Sequence, residues 1–337
     1  MKAKLVLTTL LLVLVGFIAK AENNDFYDNT PTTALTGPLT LEVGGEVAAP
    51  GKIDLASLPL RSVIVREAAP EGKGSRFVGA YRYDGHSLFD ILKEYEVKKK
   101  SAGLSSVIDL YVVVENAKGE KAVLSWGEIY YPVAHHRVLI ATKAAPIIPT
   151  KTGEQWPLPK ETRLVCADDL LTVRGVTNPS KITVVSAAFD APDGPRPAKL
   201  TSPEIRLAGG TGKDAVIAGL PAGAERRVYP TVFYGRGKGF HGTEDFDGVL
   251  LKDVLKPHFP SDPKALTRGW FLVAAPDGYR IVVTAAELFN RNDCREFLII
   301  DRGKDADGGR FSLFPACDYF SDRAVKAVRE IRYQAVE

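Results

Sequence analysis

Short apolar runs separated by polar and glycine-bearing stretches recur along the chain, and the order in which they recur is itself repeated. An apolar strand, Tyr111 to Glu115, is followed by a turn at Gly119, a second strand, and a helix opened by Ser125-Trp126-Gly127-Glu128. At an offset of 159 the same order returns as Phe271 to Ala274, a turn at Asp277-Gly278, and Thr284-Ala285-Ala286-Glu287. Both helices open with S/T-x-x-E, the spacing at which hydroxyl and carboxylate satisfy each other's orphan backbone N–H groups. Asp-Gly suits the positive φ of a tight hairpin turn.

Upstream, the stretch from Gly72 to Gly79 followed by Asp84-Gly85 recurs, 163 positions on, as Gly235 to Gly242 followed by Asp247-Gly248. Each leads into a helix, Leu88 to Tyr95 and Leu251 to Leu255. Downstream, Val138 to Ala141 matches Phe297 to Ile300 at 159. Leu164, Asp169, Arg174, Val176 and Ile182 then match Leu313, Asp318, Arg323, Val325 and Ile331 at 149, after a ten-residue shortening of one loop. Closing strands are expected near Val184 and Tyr333. Mixed strands with few, short helices predict an α+β fold made of two tandem units.

The ends bound these units. Lys2 and Lys4, the apolar run Leu5 to Ile18 and Ala19-Lys20-Ala21 read as a Sec signal peptide over 1–21, cleaved after Ala21. A run this short falls below the ~20 residues that span a bilayer, and no second long apolar run follows. A polar leader covers 22–38, the first unit 39–186 and the second 203–337. Between them 187–202 carries Pro192, Pro195 and Pro197, which suit a linker. The expected product is periplasmic or secreted, with no membrane contact after cleavage.

Composition narrows the chemistry. The net charge of +3 is supplied by Lys2, Lys4 and Lys20 of the signal, so nothing points to nucleic acid or to an anionic membrane. The one methionine is Met1 and no C-x-x-C-H occurs, which excludes c-type haem attachment and methionine ligation of haem or copper. Cys166, Cys294 and Cys317 are too few for a disulfide scaffold. Cys294 and Cys317, in one unit, are a candidate disulfide; Cys166 has no His or Asn partner that would make it a nucleophile.

Gly235 to Gly242 is the best local candidate for an anion site, because its glycines admit a ligand to backbone N–H groups while Arg236, Lys238 and His241 bring charge. It is not a Walker A loop. A flexible hairpin is the plainer reading of the same residues. Adjacent His135 and His136 point to opposite faces of a strand and do not suggest a shared metal.

Leu39 to Val47 with Pro50-Gly51, Leu58-Pro59, Asp84-Gly85 with Leu88 and Ile91-Leu92, the Glu128 helix, Val138-Leu139-Ile140 and the closing Arg174-x-Val176-x5-Ile182 together resemble the molybdopterin-binding domain of the sulfite oxidase family. The resemblance covers both units and implies two copies of that fold. It implies further that Arg323-Ala324-Val325-Lys326 approaches a cofactor phosphate or an anionic substrate, with Arg174 and Thr177 in the first copy. Active members also place a molybdenum-binding cysteine between an early strand and the first helix. Arg61 to Gly85 and Arg226 to Gly248 contain none, and the signal lacks the twin arginine that would export a preloaded cofactor.

The leading expectation is therefore a non-catalytic binding protein, without a catalytic or metal-binding residue, whose degenerate molybdopterin pocket takes a pterin-like or other small anionic ligand. Arg236, Lys238, His241, Arg323 and Lys326 should share one rim, with Arg174 as a weaker counterpart, and a periplasmic protein is a possible partner. The alternatives are a molybdopterin-dependent oxidoreductase and a structural or electron-transfer subunit without ligand.

Overall fold

The computed structural model describes residues 31–100, 107–149, 151–189, 197–210, 212, 214–304 and 306–337. The expected signal peptide and most of the leader lie outside the described residues, as does part of the linker. The first half runs β1 (Thr33–Ala34), β2 (Thr40–Gly45), β3 (Gly51–Asp54), β4 (Arg61–Glu71), β5 (Gly74–Ser87), α1 (Leu88–Leu92), β6 (Leu110–Asn116), β7 (Lys121–Ser125), α2 (Trp126–Tyr130), β8 (Val138–Pro146), β9 (Arg163–Cys166) and β10 (Pro179–Ser186). The second runs β11 (Ile205–Ala208), β12 (Ala215–Ile217), β13 (Arg226–Gly235), β14 (Gly239–Leu250), α3 (Leu251–Leu255), α4 (Pro263–Arg268), β15 (Gly269–Ala274), β16 (Arg280–Thr284), α5 (Ala285–Phe289), β17 (Phe297–Asp301), β18 (Phe311–Pro315) and β19 (Glu330–Ala335).

Sheet topology repeats between the halves. The order β3-β2-β10-β6-β7 in one sheet matches β12-β11-β19-β15-β16 in another, and β4-β5-β8-β9 matches β13-β14-β17-β18. In each half the first and last long strands pair in parallel, β2 with β10 and β11 with β19, which closes the unit on itself. Even the bulge recurs: Val78 is the unpaired residue in β5, and His241, 163 positions on, is the unpaired residue in β14.

The expected α+β class holds in its coarser form: the protein is mostly β, with 47% of residues in strands and 11% in helices, disposed as small sheets in a propeller-like arrangement. Each of these helices is five or six residues long, little more than one turn. The glycine-bearing stretches lie at the tips of two long hairpins, β4–β5 and β13–β14, as the plainer reading of Gly235 to Gly242 expected.

The two halves pack sheet against sheet. Val113 and Val123 meet Trp270, Leu272 and Val282 in one buried cluster, with Tyr111 stacked on Trp270 at 4.8 Å. This explains why β6, β7, β15 and β16 are apolar on nearly every residue: strands covered on both faces lose the alternation of a half-exposed strand.

Across this interface a set of backbone contacts is made twice. Tyr319 donates its N–H to the Tyr131 carbonyl (2.7 Å), and Leu170 to that of Asn290 (2.6 Å). Val133 donates to Cys317 (3.3 Å), and Asn292 to Asp168 (2.8 Å). Pro132 bridges Asp318 as Arg291 bridges Asp169. These pairs exchange under the repeat offsets, the signature of an isologous contact, here within one chain.

At the centre lies a buried ionic network. Arg174 donates to Asp169 (2.7 Å) and Glu128 (3.0 Å); Arg323 donates to Asp318 (2.7 Å) and Glu287 (2.6 Å). Glu128 and Glu287 complete the two capping boxes, and the halves interlock there: Arg323 also reaches the Ser125 hydroxyl (3.2 Å), and the Thr284 hydroxyl reaches Glu128 (3.5 Å).

Gly127 is required by this interlock. A Cβ on it would stand 2.4 Å from three atoms of the Arg323 side chain, which is pinned by its carboxylates and unable to move aside. Helix propensity alone favours alanine over glycine by about 1 kcal/mol. Gly127→Ala is nevertheless expected to lower the melting temperature, measured by circular dichroism; an increase would show that Arg323 is free to shift.

Candidate functional site

On the second half a pocket of about 460 Å³ opens over the inner face of the β13–β14–β17–β18 sheet. Alternation along β13 and β14 turns Phe233, Glu244 and Phe246 to this side, and Ile300, Ser312 and Phe314 join them from β17 and β18. Phe246 and Phe314 stack face to face at 3.9 Å and 3°, and Phe233 lies tilted against Phe246 at 5.1 Å. This aromatic floor is edged by His241, Lys326 and Arg302, with Glu244, Asp277 and Asp307 also on the wall.

Local structure holds these groups. His241, the bulge residue, packs on Phe233 at 5.3 Å. Arg302 donates to the Ser312 hydroxyl at 3.1 Å, which keeps its guanidinium near the mouth. Tyr279, from the β15–β16 turn, donates to the Asp322 carbonyl, and burial pushes its phenol up so that it stays a neutral donor. Lys326 is exposed and makes no ion pair among the described residues.

The six expected site residues are divided. His241 and Lys326 line the pocket. Lys238 is exposed at the tip of the β13–β14 hairpin. Arg236 turns toward the first half, donating to the Tyr131 hydroxyl at 3.0 Å with its guanidinium 5.5 Å from that ring, while its N–H reaches Asp322. Arg323 and Arg174 are on no rim. They are 0% and 4% exposed, and their forks face the carboxylates of the central network, so neither offers a donor to a ligand.

The candidate disulfide is also corrected. All three cysteines are free thiols: Cys317 is buried beside Asp318 and Arg323, whereas Cys294 is exposed on a turn at φ 59°. Burial pushes the thiols of Cys166 and Cys317 up, which keeps them protonated. His135 stacks on Phe89 at 5.0 Å, and His136 meets the Ser87 hydroxyl at 2.8 Å, a packing role for both. Among the described residues no group of three or more His, Cys, Asp or Glu side chains is arranged to hold a metal ion.

The same sheet face in the first half is closed. β8 continues to Pro146 and pairs with β5 at seven registered positions, whereas β17 ends at Asp301 and pairs with β14 at two. The longer loop that follows β8 lays Trp156 and Leu158 over Tyr81, Tyr83, Val63 and Val165. Tyr83 donates to Glu67 at 2.7 Å, and Arg163 stands 3.6 Å from the same carboxylate, so the polar groups there satisfy one another.

The aromatic floor and Arg302 were missed in the sequence. The alternation of Tyr229, Thr231 and Phe233 was there to be read, but nothing local marked its inner face as uncovered.

No protein-family model matches the chain, and no curated protein matches it. Among solved structures it is similar to the sulfane dehydrogenase SoxCD from Paracoccus pantotrophus, with 12% identity over 88% of this chain and 77% of that one at a TM-score of 0.30. An overlap that loose transfers no residue role.

Proposed function

We propose that the protein is a non-catalytic binding protein, two tandem units of the sulfite oxidase-like fold exported to the periplasm or beyond, whose second unit takes a small planar anion of pterin size. The observation that carries this reading is the pocket: a floor of stacked phenylalanines under a rim bearing Lys326, His241 and Arg302, with a volume within the ~300–1,000 Å³ usual for small-ligand sites. Aromatic rings favour a flat ligand, and Lys326 supplies a charge that no side chain opposes by an ion pair among the described residues.

A molybdenum-bearing pterin does not fit these residues. The two hairpins where the family's thiolate would stand carry no cysteine, Cys317 is buried and Cys166 half-buried with both thiols held protonated away from the pocket, and Arg174 and Arg323 are saturated by carboxylates.

Pterin-6-carboxylate, titrated by calorimetry, tests the reading. A charge-assisted hydrogen bond is worth ~1.5–3 kcal/mol, so Lys326→Ala is expected to weaken binding by about tenfold or more. Thr177→Ala, at the equivalent place in the closed first unit, should leave it unchanged. Equal loss from both variants, or no binding at all, would remove the second-unit pocket as the site.

A further inference from the structure

The first half shows what kind of group the second half's open face accepts. Trp156 lies over Gly79, close enough that a Cβ there would stand 2.8 Å from the indole Cγ. The ring meets the edge of Phe77 at 5.1 Å and 88°, and its Nε1 donates to the Ala80 carbonyl at 2.9 Å. Gly79, Phe77 and Ala80 thus form a seat for a fused bicyclic ring carrying an N–H donor.

All the backbone elements of that seat recur. The bulge occupies the same place in β5 and β14, so Phe240, Gly242 and Thr243 stand where Phe77, Gly79 and Ala80 stand. Gly242 again presents bare backbone: a Cβ there would meet only Glu244, at 3.6 Å. Phe240 is 63% exposed. The loop between β17 and β18, residues 302–310, is too short to supply a counterpart of Trp156, and it contains no aromatic residue.

We infer that the second half binds a fused-ring heteroaromatic compound with a ring N–H, seated over Gly242 against Phe240 and donating to the Thr243 carbonyl, with its acidic substituent reaching toward Lys326. The inference deepens the proposed pocket function and rests on it for the acidic substituent; the ring seat rests on the comparison of the two halves. His241, at the bulge between Phe240 and Gly242, lines the pocket, which joins the seat to the aromatic floor.

Two probes separate the parts: indole, a neutral fused ring with an N–H, and pterin-6-carboxylate, a fused ring with an acid. Phe240→Ala, at an exposed position that folding does not need, is expected to weaken both by roughly three- to tenfold, the loss of one aromatic contact. Lys326→Ala should weaken the carboxylate alone. In folded Trp156→Ala the first seat opens, and indole stoichiometry should rise from one to two per chain.

If Phe240→Ala leaves both affinities unchanged while Lys326→Ala weakens the carboxylate, the ring seat is wrong and the anion pocket stands. If indole binding depends on Phe240 but Lys326→Ala does nothing to the carboxylate, the seat stands and the anion reading falls. Absence of binding by either probe overturns both, and indole held at one per chain in folded Trp156→Ala overturns the use of the first half as a template.

Discussion

Arg323→Ala is expected to destabilise the protein by about 3–5 kcal/mol, the range for removing one partner of a buried ion pair. The side chain is 0% exposed, and its loss strands Asp318 and Glu287, each 1% exposed in its side chain. At this chain length that corresponds to a fall in melting temperature on the order of 10 °C. The desolvation cost of the two carboxylates carries the effect, so Arg323→Ala combined with Asp318→Asn and Glu287→Gln should recover a large part of it. By contrast Arg206→Ala breaks an ion pair whose side chains are 55% and 47% exposed, and should cost under ~1 kcal/mol. Similar losses at Arg323 and Arg206 would show that the buried network is worth no more than a surface ion pair.

The second large effect is a pH dependence. Burial raises the Glu128 carboxyl to about 7, with Arg174 opposing and the neighbouring Glu287 and Asp169 adding to the rise. Its partner Glu287 is equally buried but is held below the usual range, because Arg323, Ser125 and the Thr284 N–H outweigh the cost of burial.

A raised carboxyl binds its proton more tightly in the folded state. Its contribution is therefore fully present below about pH 4.5 and is lost as pH rises toward 7, a loss on the order of 3 kcal/mol. The depressed Glu287 acts in the other window, where stability is lost as pH falls below its unfolded value of 4.5. Stability should thus be greatest near pH 5. His86 and His136, both lowered chiefly by burial, work against the decline below pH 6.5, so the comparison must be internal. Glu128→Gln should flatten the fall between pH 5 and 7.5 relative to the parent protein, measured by denaturant titration at each pH. A parallel pair of curves would place the proton elsewhere.

Much of the architecture was legible because the physical signals were local. Ser125 with Glu128 and Thr284 with Glu287 form capping boxes in the structure, and the strands around them stand at the offsets their residues suggested. The misreadings concern burial, which is a property of the whole molecule. Arg323 and Lys326 sit three residues apart in one segment, and as letters both are surface cations. Only the folded packing, with Asp318 and Glu287 on one side and Ser125 and Gly127 of the other half closing over it, buries the first and leaves the second in solvent. Cys294 and Cys317 likewise share a unit yet differ completely in exposure.

The pocket was hidden for the same reason. Phe233, Phe246 and Phe314 read as ordinary core positions. The first-half equivalents of Phe246 and Phe314, Tyr83 and Val165, are core, and the counterpart of Phe233 at the bulge is the buried Glu67. What leaves space open above them is the shorter loop after β17, a feature visible in the sequence only as a change of offset.

The doubled contacts across the central network have a last consequence. A protein that forms such a contact with an identical copy must display the same surface twice, and any change to one site is inherited by the other. Joining the copies in a single polypeptide lifts that constraint. Gly127 can yield to Arg323 while its counterpart Ala286 keeps a methyl group, and one face can be sealed by Trp156 while the other stays open. The chain thus has the geometry of a symmetric pair with the freedom to specialise one member: the backbone plan is kept throughout, while the side chains are free to diverge outside the central network.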